Sequence, residues 1–222
     1  MTKTGEAARP PLEMDAESLM DTLRLRQREI TIGAIVVVVA VSLGWLWRSS
    51  SLRKETNGER ALNLAASSYY AGNKPLAKTD LGKMIDRYSG TSAGVQGAML
   101  LAQILYEEAK FEDGIKALQA QQGTGPARSF AASLEALIAS GYSDQKKYEE
   151  AGKHFLAAAD KAAFPSDRDL YRADAARLLT AAGKKEEALK IWKELGANLE
   201  SPALGEAKIR IGELTVAPAG KP

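Results

Sequence analysis

The sequence predicts an all-α chain: a single N-terminal transmembrane helix followed by a helical-repeat solenoid of about four helix pairs with a C-terminal cap helix. Three observations carry that reading. Residues 30–47 form one 18-residue run without a formal charge, and small residues recur at a fixed interval of 37 through the remainder. A composition 45% apolar and 26% charged over 222 residues supplies enough apolar mass for a real core. Thirty basic residues against 28 acidic ones leave a formal net charge of +2. A nucleic-acid-binding domain needs a strong basic excess on one face, so nucleic acid is excluded as a partner. The chain has no Cys, which removes disulfides, thiolate zinc sites, Cys nucleophiles and a lipid-modified Cys anchor. Its one His, His154, removes most imidazole-based metal and triad chemistry. The expectation is therefore a non-enzyme with no catalytic residues, no cofactor and no metal.

Residues 1–29 open with TKTGEAARPP, which has no periodicity and predicts a disordered tail. A short helix is expected before the apolar run, because Asp15, Glu17 and Asp21 come early and Arg24, Arg26 and Arg28 come late, matching the helix macrodipole at both ends. Residues 30–47, ITIGAIVVVVAVSLGWLW, span about 27 Å as a helix, close to the roughly 30 Å hydrocarbon core of a bilayer. The β-branched run from Val36 to Val39 favours strand in water, but in lipid only a helix satisfies its own backbone amides. Trp45 and Trp47 close the run where indole prefers the headgroup layer. A cleaved signal peptide fits less well, since the run exceeds the usual h-region and lacks a small-x-small cleavage pattern. A buried core helix would need partners all round, and the remaining helices are amphipathic and already paired. Within the span, Ala40 and Gly44 form a small-xxx-small pair, a candidate face for another membrane helix.

Orientation rests on charge. Arg24, Arg26 and Arg28 before the span face Arg48, Arg53 and Lys54 after it, a tie by the positive-inside count. The short N-terminal tail and the indifference of long C-terminal domains to charge favour a cytoplasmic N-terminus.

Beyond the span, Ala65, Ala102, Ala139 and Ala176 recur at intervals of 37. Ala77, Gly114, Ala151 and Ala188 keep the same register, and so do the bulky Leu81, Leu118, Phe155 and Trp192. Turns fall between the first two sets, at residues 71–74, 109–111, 146–148 and 182–185, so each unit is a helix, a short turn and a second helix. Small residues let paired helices approach closely, and the large residue four positions on fills the space between units. Pro126, Pro165 and Pro202 fall at unit boundaries, where proline starts or stops a helix. One last amphipathic segment over residues 202–214, with Ala207, Ile211 and Leu214 on one face, suits a cap. The resulting layout is a tail over 1–29, a signal anchor over 30–47, a repeat domain over 48–215 and a disordered tail over 216–222.

Ala102, Leu105, Tyr106, Ala109, Phe111, Gly114 and Leu118 together resemble a tetratricopeptide repeat, as do Ala139, Tyr142, Tyr148, Ala151, Phe155 and Ala158, and Ala176, Leu179, Gly183, Ala188 and Trp192. The units run three residues longer than the common 34. Together with a short tail, an anchor ending near Gly-Trp and a closing SPALGEAKIRI helix, the layout resembles the YfgM-like proteins, ancillary subunits of the bacterial Sec translocon. That resemblance implies an inner-membrane protein with a periplasmic repeat domain, its partners being Sec translocon subunits, periplasmic chaperones or nascent exported proteins, and the lipid bilayer through the anchor. An assembly scaffold of another envelope complex is the alternative, and an enzyme with an unrecognised site is the residual one. Late positions of the first helices line the groove in such folds, which makes Tyr69, Tyr70 and Tyr106 candidate partner-binding residues beside Ala40 and Gly44. The positions that hold a C-terminal carboxylate in clamp-type repeats are Leu62, Ala66, Met99 and Gln103, which does not suit a clamp.

Other chemistry-bearing residues read as structural. His154 has no further His or Cys to share a metal with, and Trp192 occupies a packing position. The pairs Glu112-Asp113, Glu149-Glu150 and Glu186-Glu187 follow the turns, where acids favour the start of the next helix; Glu107-Glu108 is the fourth such pair. Gly123-Thr124-Gly125-Pro126 lacks the Lys and the strand of a phosphate loop and reads as a linker.

Overall fold

The computed structural model describes residues 27–216. The N-terminal tail, almost all of its expected short helix and the last six residues lie outside the described residues. The chain divides into two compact units, Met1–Leu52 and Arg53–Pro222, with the division inside helix α1, Gln27–Tyr70. In the first unit every described side chain from residue 31 to residue 46 is exposed. Val36, Val37, Val38 and Val39 are helical despite their β-branched run, and each is more than half exposed. Between Thr31 and Tyr70 the helix holds an 18-residue window of mean hydropathy 1.8, none of it buried, long and apolar enough by those criteria to cross a membrane. That exposure is not what a buried core helix would show.

The second unit is a stack of antiparallel helix pairs. Residues 53–70 of α1 pair with α2 (Lys74–Arg87), α3 (Ser92–Glu107) with α4 (Phe111–Gln119), α5 (Ala131–Asp144) with α6 (Tyr148–Lys161), and α7 (Pro165–Ala181) with α8 (Lys185–Ala197). A last helix, α9 (Leu204–Thr215), closes the stack against α8. Among the described residues there is no strand. The segment containing Gly123-Thr124-Gly125 leads into a 3-10 turn, Pro126–Phe130, that abuts α5. Local signals start these helices where expected. Asn73 accepts from the Leu76 amide at 3.2 Å and Thr91 from the Gly94 amide at 3.0 Å, each satisfying a first-turn donor. Glu55 reaches from the preceding unit to accept from the amides of Ser92 and Ala93, at 3.2 and 3.3 Å, placing an anion on the positive end of α3.

The turns inside the four pairs are one structure repeated. Residues Gly72, Ala109, Lys146 and Gly183, 37 apart, all have positive φ, at 81°, 58°, 60° and 79°. After each, the amide of Asn73, Lys110, Lys147 or Lys184 donates back to the carbonyl of Ser68, Leu105, Tyr142 or Leu179 at 2.8–2.9 Å. This is the six-to-one closure that satisfies carbonyls left open at a helix C-terminus. Two of the four positions are filled by glycine; Ala109 and Lys146 carry a Cβ in a conformation that L side chains rarely adopt.

Small register residues are the contacts of the stack. Ala65, Ala102, Ala139, Ala176, Ala77, Ala151 and Ala188 are all 0% exposed, and Gly114 is buried. Leu81, Leu118 and Trp192 fill the large position completely. Phe155, the fourth member of that set, is only half-buried, so the expectation that the large residue fills the space between units fails in the third unit. The side chains opposite it explain this: Ser140, Ser143, Asp174 and Arg177 are small or polar and leave a cleft. Apolar clusters run along the stack, one around Leu81 and Ile104, one around Leu118 and Ile138, and one around Trp192, Leu195 and Ala207 with Ile211 and Leu214 of the cap packed on it. The Trp192 indole N–H is the one fully buried side-chain polar atom without a partner among the described residues.

The strained turns give a direct test. Ala109→Gly and Lys146→Gly relieve a left-handed conformation worth ~1–2 kcal/mol while adding ~0.5–1 kcal/mol of unfolded-chain entropy. Each is expected to stabilise the chain by up to ~1.5 kcal/mol, or a few degrees in a thermal melt followed by circular dichroism. Lys153→Gly, in the exposed middle of α6, should instead destabilise by about 1 kcal/mol.

Candidate functional site

The tyrosines proposed from the sequence do not form one surface. Tyr70 ends α1 at 81% exposure, with its ring centroid 5.4 Å from that of Tyr69 and tilted by 58°. The Tyr69 ring packs on the Leu81 cluster, and its hydroxyl donates to Glu107 Oε1 at 2.5 Å. Lys74 Nζ lies 2.7 Å from the other oxygen of the same carboxylate. Those two donors hold the Glu107 carboxyl below the usual range, Lys74 more than Tyr69, while the hydrogen bond to Glu107 pushes the Tyr69 phenol up. Glu108 next to it is pulled down to about 2 by Lys110 at 2.8 Å and Lys78 at 2.6 Å. Both carboxylates sit at the C-terminal end of α3, where the macrodipole disfavours an anion; Lys74 and Lys78 offset that cost by tying α2 to α3, and Lys110 does so from the following turn.

Tyr106 is partly buried and packs against the Leu118 cluster. Its hydroxyl donates to the Leu137 carbonyl of α5 at 3.1 Å, its ring lies 6.1 Å from that of Phe111, and it lies in the space left by two glycines. A Cβ at Gly141 would lie 2.5 Å from Tyr106 Oη, and one at Gly114 would overlap the ring edge. Burial first, then the nearby Asp144 charge, raises the phenol well above its ordinary value. Tyr106 thus joins α3, α4 and α5, and the exposed aromatic surface reduces to Tyr70 with the edge of Tyr69. Of the clamp positions, Leu62 and Met99 pack against the apolar clusters and Gln103 is exposed. Ala40 and Gly44 are exposed, and a Cβ at Gly44 would meet nothing within 4 Å.

The acidic pairs do more than start helices. Glu112 meets Lys147 at 3.9 Å and Glu149 meets Lys184 at 3.6 Å, the same pairing one repeat apart, and all four groups are largely exposed. Exposed pairs of this kind contribute little individually.

Glu135 is the functional-looking residue that the sequence reading missed. Its carboxylate is 7% exposed and receives Lys161 Nζ and Gln122 Nε2 on Oε1, the latter at 3.0 Å, and His154 Nδ1 on Oε2 at 2.7 Å. Burial pushes this carboxyl up, but the hydrogen bonds from Lys161 and His154 outweigh it and hold the group below its ordinary value. His154 also stacks on Tyr142 with centroids 5.2 Å apart. The arrangement joins α5, α6 and the linker before the 3-10 turn through one buried anion. A signal existed: the register position of Glu135 holds Ala61 and Ala98 in the first two units, so a charge replaces alanine here in the third unit, as Arg172 does in the fourth. Among the described residues no group of three His, Cys, Asp or Glu side chains could hold a metal ion.

Comparison with known proteins places this geometry. The family described as tetratricopeptide repeat-like domain matches residues 27–210. Among solved structures, the nearly identical TPR-like repeats of a kinesin light chain-like protein from Podosopora anserina superpose with a TM-score of 0.54 at 16% identity, covering 72% of this chain and 86% of that one. A single-substitution variant of the same repeats gives a TM-score of 0.54 at 15% identity, covering 72% and 85%. At such identities the likeness is one of fold. No curated protein matches the sequence.

The Tyr106 packing is testable. Gly141→Ala forces a methyl against the phenol and is expected to cost ~1–3 kcal/mol in chemical denaturation. Tyr106→Phe in the same chain removes the nearest atom and should recover part of that loss, so that the two changes are non-additive. Additive losses would mean that the residues do not touch.

Proposed function

Because the chain belongs to the tetratricopeptide repeat-like domain family, we propose that it is a membrane-anchored protein-interaction scaffold without chemistry of its own, acting as an accessory subunit of the Sec translocon. In this reading the chain sits in the bacterial inner membrane with its N-terminus cytoplasmic and its repeats periplasmic. The anchor associates with the channel, and the repeats receive periplasmic chaperones or emerging chains.

One observation carries the anchored part: an apolar helical stretch, exposed at every described side chain from residue 31 to residue 46, accompanies a repeat stack that buries its own apolar clusters around Leu81, Leu118 and Trp192. In water that stretch would expose a contiguous apolar surface far beyond what a soluble chain tolerates, and a bilayer removes the cost. The scaffold part is supported by the fold, since stacked helix pairs present an extended surface assembled from successive repeats. Tyr70 is the candidate contact for a soluble partner, a rigid aromatic with a polar tip. Gly44, with Ala40 one turn before it, is the candidate contact for a channel helix, because small residues let two backbones approach.

Crosslinking in membranes, followed by mild-detergent purification and mass spectrometry, tests the reading. Translocon subunits and export chaperones are expected among the crosslinked partners. Tyr70→Ala should reduce chaperone capture with the chain still folded, and Gly44→Leu should reduce channel capture. Recovery of a different envelope complex in place of the translocon would overturn the Sec assignment and favour an assembly scaffold for that complex.

A further inference from the structure

We propose that the cleft between α5, α6 and α7 is an anchor site for one basic side chain, Lys or Arg, of a partner polypeptide. The proposal rests on the interaction-scaffold reading and assigns to it a chemical preference.

The cleft has a volume of ≈ 280 Å³ and is lined by Ser140, Ser143, Asp144, Phe155, Asp174, Arg177 and Leu178. That volume lies at the floor for small-molecule pockets, ~300 Å³, and suits a single side chain better than a cofactor. Its walls are amphipathic in a particular way. Phe155 and Leu178 supply apolar surface, and Phe155 is the one large register residue that the stack leaves half-buried. The polar lining is rich in acceptors. Ser140 uses its proton on the Ala136 carbonyl at 3.0 Å, so only its lone pairs face a ligand. Asp144 has no hydrogen bond or ion pair among the described residues, and Asp174 engages only Arg177. Arg177 is the single cation in the lining, and it is already spent: Nε donates to Glu206 Oε1 at 2.8 Å, one terminal nitrogen donates to Glu206 Oε2, and the other donates to Asp174.

Such a lining is short of positive charge and of donors. Desolvation raises the Asp174 carboxyl above its ordinary value even with Arg177 beside it, which marks a carboxylate that its own cation does not fully compensate. An ammonium or guanidinium group carries donors only, so it matches Asp144, Asp174 and Ser140 at once. Its methylene stem matches Phe155 and Leu178, since long basic side chains bury their stems along apolar surface while the charged head meets polar groups. A carboxylate or phosphate would meet two like charges and find Arg177 occupied. A neutral apolar side chain would desolvate Asp144 without giving it a partner and add nothing to Asp174 beyond Arg177.

Fluorescence anisotropy with the full chain in detergent micelles decides the matter. The probes are labelled eleven-residue peptides identical except for a central Lys, Arg, Gln or Glu. Lys and Arg peptides are expected to bind at least tenfold more tightly than the Gln peptide, and the Glu peptide least tightly. Asp144→Asn with Asp174→Asn should bring Lys and Gln within about twofold of each other. Ser143→Lys, which places the chain's own ammonium in the cleft, should do the same; it keeps the test valid if the double variant loses helicity. Equal binding of Lys and Gln peptides to the unaltered chain would overturn the basic anchor while leaving the scaffold reading, tested separately by crosslinking, intact. Absence of binding by all four peptides at millimolar concentration would also overturn it. Binding of 1,5-diaminopentane as tight as that of the Lys peptide, with displacement of the peptide, would show a free-amine site and overturn the peptide assignment.

Discussion

Close approach of helices at eight small side chains is the constraint on which the rest of this structure depends. Ala65, Ala102, Ala139, Ala176, Ala77, Gly114, Ala151 and Ala188 are buried in every unit, leaving room for neighbouring helices to pack and, at Gly114, for the Tyr106 ring. Once that spacing is set, the other regularities follow. The turns must close within four residues, which imposes a left-handed residue at positions 72, 109, 146 and 183 even where the sequence supplies Ala or Lys. The lysines after those turns come into line with acids of the preceding unit, giving the repeated pairs Glu112 with Lys147 and Glu149 with Lys184. The large residue four positions beyond the second small one then has a defined space to fill, as Leu81, Leu118 and Trp192 do.

The all-helical stack was legible in the sequence because packing constraints act on residue size, and size is printed in the chain. A register of 37 could be counted from alanines alone, and the cap was readable from Ala207, Ile211 and Leu214, all of which pack on the Trp192 cluster. The candidate site was less legible. Tyr106 stands at the same register position as Tyr69, and position alone does not tell a hydroxyl that meets the carbonyl of the next unit from one that meets a surface carboxylate. The difference lies in Gly114 of the next helix and Gly141 of the next unit, which open the space that the phenol occupies. Glu135 escaped notice because its burial depends on partners from two other segments, Gln122 of the linker and His154 and Lys161 of α6, none of which forms a motif with it.

Departures from the repeat pattern are where specific properties reside. Units one and two carry alanines at positions 61 and 98, the second fully buried; the third places a buried carboxylate there and the fourth an arginine paired with Glu194. The same third unit leaves Phe155 half-covered and opens the acceptor-lined cleft. A scaffold of identical units would offer the same surface throughout. This one is uneven along its length, with an exposed aromatic at Tyr70 near one end and an acidic, hydroxyl-lined cleft in the later repeats, so two dissimilar contacts are available on a single frame.

An anchored scaffold requires its repeats and its tail to lie on opposite sides of a membrane, and protease accessibility in intact spheroplasts measures that most directly. External protease is expected to digest the repeat domain while a short fragment carrying the N-terminal tail survives in the membrane fraction. Full protection of the repeats, or recovery of the undigested chain in the soluble fraction, would contradict the account.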